Sequence, residues 1–416
     1  MCANSTEALY RPGFTPSLCH RLWSLLPPVQ RRAVLAHLAA WVAPCPARSA
    51  PQPFQGLAVA GEFSHASGIG ETARVMAAVA ARMGIPVWRT DIPPPSGEHG
   101  TLPATPDDAP PPGAPMVVHI AAPMLPLAFL RLPRTWAKAR RIVGYWAWEL
   151  PSVPPDWHAG IRFVHDIWAP SRFTASALES LAPGRVRVVP PPLADAPPMP
   201  SDLTRAAFGL PDAAVVTLVS FNLASSYARK NPLAAIAAFK AAFGDRADRV
   251  LVLKIGYPDH APADFARLRD AANAPNIRLE TRTLPTADSH ALTACCDIVL
   301  SLHRSEGFGL VPAEAMLLGK PVVATGWSGN MDFMTPDTAA LVGYRLIPVH
   351  DERMVYRDSV WAEPDIGMAA EHLRRLAYDA GARRALGTLG QRQARRVLTH
   401  APLAAAMRDI GLHVQG

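Results

Sequence analysis

A short loop with two glycines and a glutamate, EGFG, could hold an anionic ligand against the backbone. Gly307 and Gly309 let the chain approach a ligand closely, and free N–H groups at the start of the next helix, predicted over 312–319, favour anionic or hydroxyl-bearing groups. Glu306 in the loop and Glu314 on the helix lie eight positions apart, and a carboxylate can accept two hydroxyl protons at once. The stretch therefore suits a ligand with phosphates and vicinal hydroxyls. The spacing fits equally an ordinary helix start with a capping glutamate.

A second candidate site follows the strand predicted over 213–222. Arg229 and Lys230 directly precede Asn231 and Pro232, where an apolar helix begins, so two cations stand near a helix N-terminus. That combination suits a diphosphate leaving group, because its developing charge needs preorganised positive partners. A solvated pair of charges at a helix start is the structural alternative, and the spacing alone favours it.

A glycine turn, SHASGIGETAR (64–74), joins a predicted strand to a predicted helix and carries Gly68 and Gly70. Its letters resemble the G-x-x-x-G-I-G fingerprint of the short-chain dehydrogenases, but Ser64 occupies the first glycine position. The catalytic Tyr-x-x-x-Lys of those enzymes is absent from the sequence as well. An NAD-dependent oxidoreductase is therefore disfavoured, since a lone glycine fingerprint is a weak signal.

Two further polar residues follow predicted strands. His119 lies in the strand MVVHIA (116–121), where a side chain can point into a cleft, although a lone strand histidine is more often a packed, hydrogen-bonded residue. Asp332 follows the strand PVVAT (321–325), and a charge at a helix start explains it equally well. No Asp-x-Asp occurs in the sequence, so a metal-clamping motif of that kind is absent.

Apolar strands that alternate with amphipathic helices predict how these residues are positioned. The strands lack strict alternation of polar and apolar residues, which implies burial on both faces, as in parallel sheets covered by helices. We therefore predict an α/β fold of two doubly wound, Rossmann-like lobes that face each other across a cleft, with ligands outside the carboxyl ends of the strands. The predicted strands cover 56–63, 86–91, 116–121, 140–148, 165–170 and 185–190 in the first lobe, and 213–222, 249–256, 276–282, 297–302 and 321–325 in the second.

Proline-rich connections set the predicted domain boundaries. A helical N-terminal extension covers 1–50, the first lobe 51–198, the second lobe 199–395 and a C-terminal helix 396–416. The extension contains an apolar segment, 31–44, that begins with a pair of arginines. The region after the last strand of the second lobe reads as an amphipathic helical tail.

The composition excludes several classes of protein. The chain has 416 residues, of which 49% are hydrophobic and 18% charged, which excludes a single small binding module and a disordered chain. A net charge of +7 favours anionic partners. Five cysteines without a C-x-x-C spacing indicate neither a disulfide framework nor a zinc site, and favour a cytoplasmic location. Neither a standard export signal nor an apolar run of ~20 residues is present, so the protein is not expected to cross a membrane.

The segment E-G-F-G-L-x-x-x-E-A-M-x-x-G-x-P-V-V-A-T (306–325) resembles the E-x7-E donor-site motif of retaining glycosyltransferases of the GT-B fold, in family 4. Several fixed identities within one short window carry this resemblance, and the two-lobe pattern over residues 55–400 matches the same family. The resemblance implies a nucleoside diphosphate sugar as substrate in the second lobe and an acceptor in the first. It implies no metal and no other cofactor.

The same resemblance assigns roles to residues of the second lobe. Glu306 would contact sugar hydroxyls, Glu314 would hold the ribose, and Lys230 and Arg229 would face the donor diphosphate. In this chain those two cations are adjacent, whereas family members usually separate them by a few residues. The residues implied to bind the donor are Gly307, Phe308, Gly309, Leu310, Glu314 and Asp332.

In the first lobe, Gly68 and Gly70 match the family's loop near the transferred sugar and the acceptor. His119 matches a first-lobe histidine that lies near the sugar. The family's His-Asp after the following strand is Trp148-Glu149 in this chain, so Glu149 is the acceptor-side candidate at that position. The neighbouring tryptophans of YWAWELP either stack on a sugar face or fill the core.

We therefore predict a retaining, metal-independent glycosyltransferase that moves a hexose from a nucleoside diphosphate sugar to a saccharide or lipid-linked acceptor in cell-surface polysaccharide synthesis. Resemblance to exopolysaccharide mannosyltransferases favours GDP-mannose as the donor. A nucleotide-sugar-binding protein without transferase activity is the alternative, and the departure at Trp148-Glu149 leaves it open. Specific nucleic-acid binding is disfavoured, because the arginines of the tail lack interleaved aromatic residues. The basic balance and the segment 31–44 also predict attachment to an anionic membrane surface, on the cytoplasmic side of the inner membrane.

Overall fold

Short apolar runs that are buried on both faces form the central strands of the first sheet, while its two edge strands contain arginine and are only partly buried. The computed structural model describes residues 28–92, 102 and 109–414. The six strands are all parallel, and their bounds are Leu57–Gly61 (β1), Val87–Asp91 (β2), Met116–Val118 (β3), Ile142–Tyr145 (β4), Asp166–Ala169 (β5) and Val186–Val188 (β6). Their order in the sheet is β2-β1-β3-β4-β5-β6.

Helices connect and cover these strands. The helix after β1 begins behind Ser67, whose side chain caps it by accepting a hydrogen bond from the Gly70 N–H at 3.1 Å. Short 3₁₀ turns at 122–124 and 155–157 lead into two of the others. The helices of this part of the chain are Pro28–Val42 (α1), Gly68–Arg82 (α2), Leu125–Arg131 (α3), Arg134–Lys138 (α4), His158–Ile161 (α5) and Arg172–Glu179 (α6).

The second lobe repeats this architecture with longer central strands. Its parallel strands are Val215–Asn222 (β7), Arg249–Gly256 (β8), Ile277–Glu280 (β9), Ile298–Ser301 (β10), Val322–Thr325 (β11) and Ala340–Val342 (β12), in the order β12-β11-β10-β7-β8-β9. Short 3₁₀ turns lie at 205–208, 258–260 and 329–332. The helices are Tyr227–Lys230 (α7), Pro232–Phe243 (α8), Pro262–Ala271 (α9), Thr286–Cys295 (α10) and Leu310–Leu317 (α11).

An antiparallel hairpin that the sequence analysis did not predict follows β12. Its strands are Tyr344–Pro348 (β13) and Val360–Pro364 (β14). Trp361 of the hairpin and Tyr356 of its loop are buried in the same apolar cluster as Trp148 of the first lobe. The hairpin therefore belongs to the second lobe in sequence but packs into the first.

A helical tail follows and returns to the first lobe. It consists of Ile366–Tyr378 (α12), Ala380–Val397 (α13) and Ala401–Asp409 (α14), and the first two begin behind capping aspartates. After α14, the backbone of Gly411 accepts a hydrogen bond from the Gln55 side chain, and the His413 N–H donates one back to it. The end of the described chain is thus fixed beside the first strand of the fold.

The predicted fold class is confirmed by the two parallel six-stranded sheets, the interleaved helices and the helical tail. The chain passes from the first sheet to the second between β6 and β7, and the predicted boundary at 198–199 falls in this connection. Of the predicted extension, residues 1–27 lie outside the described part of the chain. Among the described helices, none has the length and apolarity needed to cross a bilayer.

Each sheet has one point at which the strand order reverses. In the first sheet this point lies between β1 and β3, and in the second it lies between β7 and β10. Ligands of doubly wound sheets bind in the crevice at such points, outside the carboxyl ends of the strands. The turns that follow these four strands are therefore the places where the site is expected, and they include the three motifs of the sequence analysis.

Candidate active site

A cavity of about 780 Å³ lies between the lobes at these turns. The first lobe contributes the turn after β1, including Gly68, and the segment after β4, including Glu149. The second lobe contributes the turn after β7, the ends of β8 and β10, and residues 306–312 at the start of α11. The cavity thus has the size of a small-molecule site and joins both lobes.

Glu306 occupies the centre of the charged part of this cavity. Its side chain is only 12% exposed, and its two oxygens lie 2.5 Å from Lys230 Nζ and 2.9 Å from Arg229 Nη1. Burial alone would raise the pKa of Glu306, but the two cations outweigh it and hold that pKa well below its ordinary value. The carboxylate is therefore ionised at any physiological pH. The structure brings Glu306 together with two predicted cations that precede it by 76 and 77 positions in sequence.

Local structure explains how the two cations reach Glu306. Ser226 caps the single turn α7, and Asn231 ends it in the left-handed conformation with φ of 52°. Arg229 is held further by two hydrogen bonds, from Nη1 to the Ser305 carbonyl at 2.8 Å and from Nη2 to the Ser225 hydroxyl at 2.8 Å. Arg229 and Lys230 both line the cavity. The arginine is thereby fixed rather than solvated.

The glycines of the EGFG loop are needed for close backbone packing. Gly309 has φ of 98°, a conformation that favours glycine, and it directly precedes α11. A Cβ on Gly307 would lie 3.2 Å from the Trp148 carbonyl of the other lobe, and one on Gly329 would lie 2.3 Å from the Gly307 carbonyl. Residues 307–310 line the cavity, with the free N–H groups of the α11 start beside it, and their role in donor binding stays a prediction.

Glu314 lies one turn further along α11 and does not line the cavity. Its carboxylate is 3.9 Å from Nε2 of His290, whose Nδ1 accepts a hydrogen bond from the Met199 N–H. Burial raises the pKa of Glu314, and His290 opposes this effect. The ribose role of Glu314 stays a prediction, and His290 is the neighbour that orients its carboxylate.

The first-lobe glycine turn packs against the start of α11. Gly68 lines the cavity, and a Cβ there would lie 3.4 Å from the side chain of Leu310. Gly70 is buried instead, and a Cβ there would lie 2.4 Å from the Glu62 carbonyl. Glu62 itself lines the cavity and accepts a hydrogen bond from the Ser67 hydroxyl at 2.6 Å. Gly68 therefore borders the site, whereas Gly70 shapes the turn.

His119 lies behind the cavity wall, contrary to the expectation that it points into the cleft. It is completely buried, with Nδ1 3.1 Å from the Thr72 hydroxyl and its ring stacked on Tyr145 at 4.4 Å. Thr72 and Tyr145 line the cavity in its place. Because Thr72 donates its own proton to the Ile69 carbonyl, the histidine donates from Nδ1. A contact of His119 with substrate stays a prediction that this geometry disfavours.

Burial lowers the pKa of His119 from 6.5 to about 3, so the ring is neutral in the folded protein. The unfolded state binds more protons as the pH falls below 6.5, so we expect stability to be lost in that direction. Between pH 6.5 and pH 5 this residue should account for about 2 kcal/mol. Urea unfolding at pH 7 and pH 5 would show a smaller loss in His119→Gln than in the wild type. His350→Gln, at an exposed position, should keep the wild-type loss, and equal losses in all three proteins would refute the prediction.

Glu149 lines the cavity, as its acceptor-side prediction requires. Its carboxylate accepts a hydrogen bond from the Tyr356 hydroxyl at 2.9 Å and lies 3.5 Å from Arg229 Nη2. Trp146 and Trp148 beside it are 0% and 5% exposed and pack edge-on against the ring of another tryptophan. Of the two interpretations of these tryptophans, core packing is confirmed.

Asp332 bridges the lobes instead of lining the cavity. Its carboxylate accepts hydrogen bonds from the Arg172 backbone N–H at 2.8 Å and from Arg172 Nε at 3.2 Å, at the start of α6. The position is near a helix start, as the structural interpretation supposed, but the helix belongs to the other lobe. Its donor-binding role stays a prediction.

Several residues that line the cavity were not singled out from the sequence. They are Glu62, His65, Tyr145, Lys254, Tyr257 and His260. Of these residues, His65 lies inside the glycine turn near Gly68, and this position in the sequence could have indicated that it lines the cavity. The described residues contain no group of three or more His, Cys, Asp or Glu side chains that could hold a metal ion.

Comparison with known proteins shows the family of this chain. The sequence profile described as family 4 glycosyltransferase in conflict systems matches residues 183–397 of the 416. The chain belongs to this family of glycosyltransferases. The matched region contains β7 to β12, Arg229, Lys230 and the whole E-x7-E segment. The family match therefore covers the part of the chain that holds the cluster of Glu306, Arg229 and Lys230.

A D-inositol 3-phosphate glycosyltransferase of Stackebrandtia nassauensis is 30% identical over 206 residues, which are 48% of this chain and 44% of that protein. The chain thus matches less than half the length of this curated relative. Two solved structures share the fold. Anabaena Alr3699/HepE, solved with UDP and glucose, has a TM-score of 0.58 at 14% identity and covers 86% of this chain and 99% of its own. WaaG, from lipopolysaccharide biosynthesis, has a TM-score of 0.54 at 16% identity and covers 85% of this chain and 100% of its own.

Proposed function

We propose that this glycosyltransferase transfers a hexose, with retention of anomeric configuration, from a nucleoside diphosphate sugar to a saccharide or lipid-linked acceptor. The observation that carries the proposal is the buried cluster of Glu306, Arg229 and Lys230, which lies in the interlobe cavity beside the start of α11. A carboxylate for sugar hydroxyls and two cations for a diphosphate meet there within hydrogen-bonding distance of one another.

The leaving group would depart toward the second lobe. When the bond between the anomeric carbon and the diphosphate breaks, negative charge develops on the diphosphate oxygen, and Lys230, Arg229 and the α11 N–H groups are preorganised to stabilise it. These groups supply the compensation that a divalent cation supplies elsewhere, so we propose a metal-independent reaction. The acceptor hydroxyl would attack from the same face, and its proton would pass to the departing diphosphate.

The first lobe would bind the acceptor through hydroxyl groups. Its described cavity residues include the carboxylates of Glu62 and Glu149 and the imidazole of His65, but no lysine or arginine. The proline-rich connection 92–115 contains no lysine or arginine either. Carboxylates without a cation from the same lobe disfavour a neighbouring anion, so we propose that the reacting end of the acceptor carries no negative charge.

Thermal stability of the purified protein with GDP, UDP and ADP, and then with the matching sugar nucleotides, tests the donor site. A ligand at ~100 times its dissociation constant should add about 2.7 kcal/mol. Selective stabilisation by one nucleotide identifies the base; we expect guanosine by resemblance, and the Anabaena neighbour solved with UDP makes uridine the competing result. No stabilisation by any nucleotide would contradict the proposal.

A turnover assay then distinguishes a transferase from a nucleotide-sugar-binding protein without transferase activity. Release of the nucleoside diphosphate in the presence of acceptor saccharides, with a product heavier by one hexose, supports the transferase. Stabilisation by a sugar nucleotide without release over neutral, amino and lipid-linked acceptors would instead support the nucleotide-sugar-binding alternative. We propose a role in cell-surface polysaccharide synthesis on the cytoplasmic face of a membrane. The acceptor that supports turnover would identify the polysaccharide.

Helix α1 presents a surface that fits an anionic membrane. Its small residues face the first lobe, while Leu35, Leu38 and Trp41 are 46%, 55% and 81% exposed. The helix packs beside α3, and Arg131, Arg134 and Lys138, on or next to α4, are exposed. Exposed apolar side chains next to cations are the features of an interfacial helix. The buried residues of this part of the chain are Ala36, Ala39, Ala40 and Ala43.

We therefore expect the full-length protein to cosediment at low salt with vesicles that contain phosphatidylserine, and not with pure phosphatidylcholine. Replacing Leu38 and Trp41 by serine should abolish this binding, because it removes the largest exposed apolar groups. Leu389→Ser, at an exposed position of α13, is the matched control and should bind like the wild type. Wild-type binding by the double variant, or no binding of the wild type, would remove the membrane proposal.

A further inference from the structure

The loop between β13 and β14, residues 349–359, forms a bridge from the second lobe to the first. The Ser359 hydroxyl lies 3.0 Å from that of Ser152 in the first lobe. The Tyr356 ring is 5.3 Å from that of Trp148, and only 6% of the residue is exposed. No motif in the sequence falls within this loop. Its contacts place the buried side chain of Tyr356 beside the cavity, and the proposed mechanism gives this side chain no role.

Two charged residues fix the shape of the loop. The Asp351 carboxylate accepts hydrogen bonds from the backbone N–H groups of Val355 at 3.0 Å and Tyr356 at 3.1 Å. Arg353 reaches back to the turn after β7, where Nη1 donates to the Ser225 carbonyl at 3.4 Å. It also lies 3.3 Å from Asp264 on α9. Arg353 therefore anchors the loop on the second lobe before Tyr356, and Ser359 anchors it on the first lobe after Tyr356.

The Tyr356 side chain contacts both Arg229 and one of its two carboxylate partners, Glu149. Its hydroxyl donates to Oε2 of Glu149 at 2.9 Å, and the Arg229 guanidinium lies over its ring at 5.6 Å. Burial keeps the pKa of this tyrosine well above its ordinary value, so the hydroxyl retains the proton that it donates. The other oxygen of Glu149 is 3.5 Å from Arg229 Nη2, longer than the 2.9 Å contact between Arg229 and Glu306.

Glu149 and Glu306 compete for the single positive charge of Arg229, and the contacts of Tyr356 favour its pairing with Glu306. While Tyr356 holds Oε2, Glu149 cannot turn both oxygens to the guanidinium, and Arg229 stays paired with Glu306. We propose that Tyr356 is a positioning residue for the transfer: it holds Glu149 at a distance from Arg229, and thereby keeps the arginine directed at Glu306 and at the leaving group. The inference rests on the proposed function, and it adds a residue from outside the recognised motif.

The test is a comparison of Tyr356→Phe with Tyr344→Phe, an exposed tyrosine of the same hairpin. Loss of the hydroxyl should lower kcat by roughly tenfold while KM for the sugar nucleotide changes by less than about twofold, because one hydrogen bond is lost and the donor contacts remain. The control should leave both constants unchanged. A wild-type kcat in a folded Tyr356→Phe protein would overturn the proposal.

A double-mutant cycle with Glu149→Gln separates positioning from simple loss of packing. Once Glu149 has no charge, it no longer competes for Arg229, so Tyr356→Phe should change kcat by less than about twofold in that background. An undiminished tenfold effect there would overturn the proposal, because the hydroxyl would then act without the carboxylate.

Hydrogen exchange gives a readout that does not depend on turnover. Amides of residues 146–152 should exchange roughly tenfold faster in Tyr356→Phe than in the wild type, since the link from Glu149 to the hairpin is weakened. Tyr344→Phe should exchange like the wild type. Unchanged exchange in Tyr356→Phe would overturn the link, whatever the outcome of the nucleotide-binding experiments. Failure of the wild type to bind any nucleotide would instead refute the proposed function, and the two failures are thereby distinguished.

Discussion

Glu306→Gln is expected to lower the rate of transfer by ~10² or more, the scale for losing a preorganised transition-state contact. The substitution keeps the shape of the side chain but removes the charge that pairs with Lys230 and Arg229 at 2.5 and 2.9 Å. It also removes an acceptor for sugar hydroxyls. Steady-state release of the nucleoside diphosphate, with the purified variant and the wild type side by side, measures the effect.

Stability must be measured with the same variant. Two buried cations would lose their shared partner, and breaking a buried pair of this kind costs about 3–5 kcal/mol. Thermal unfolding therefore establishes that the inactive variant is folded at the assay temperature. Glu371→Gln, on the exposed face of α12, is the matched control and should keep both activity and stability. Turnover within a few-fold of the wild type in folded Glu306→Gln would exclude Glu306 from the reacting centre.

Lys230→Met is expected to lower kcat by ~10² as well, and in addition to weaken binding of the nucleoside diphosphate. The apolar stem remains, so packing is preserved, but the ammonium that faces Glu306 and the cavity is lost. If this charge stabilises the departing diphosphate, binding of the nucleoside diphosphate should weaken while binding of the nucleoside alone does not change. Calorimetric titration with both ligands measures that difference.

Lys240→Met, on α8 at an exposed position, provides the control for loss of a lysine. It should bind the nucleoside diphosphate like the wild type. Equal affinity of Lys230→Met and the wild type for the diphosphate, with normal turnover, would show that Lys230 pairs with Glu306 for structural reasons only. Arg229, which is more deeply buried, would then be the one cation left for the leaving group in the described cluster.

The sequence was sufficient to predict most of the repeating units of the fold. The strand expected at 249–256 is observed as Arg249–Gly256, because a run of large apolar residues bounded by turn formers leaves few alternatives. The hairpin 344–364 was missed. Its first strand is largely exposed and its loop carries charged residues at irregular spacing, so neither an apolar run nor a clean alternation marks it.

The candidate site was predicted in its parts but not in its assembly. Loop and helix signals identified Glu306, Arg229 and Lys230 separately, because each lies where a strand ends. That these three side chains pair with one another depends on the strand order, which places β7 beside β10 and which local pattern does not encode. Tyr356 had no signal at all, since a tyrosine in an irregular segment has no period to reveal its direction.

The carbonyl of Gly307 accepts hydrogen bonds from the hydroxyls of Ser171 and Thr174, at 2.6 and 3.1 Å, across the gap between the lobes. Any movement of one lobe away from the other at this point has to break these bonds. Their rupture would pull on the same peptide that follows Glu306. A hinge motion between the lobes would therefore be transmitted directly to the loop that carries Glu306.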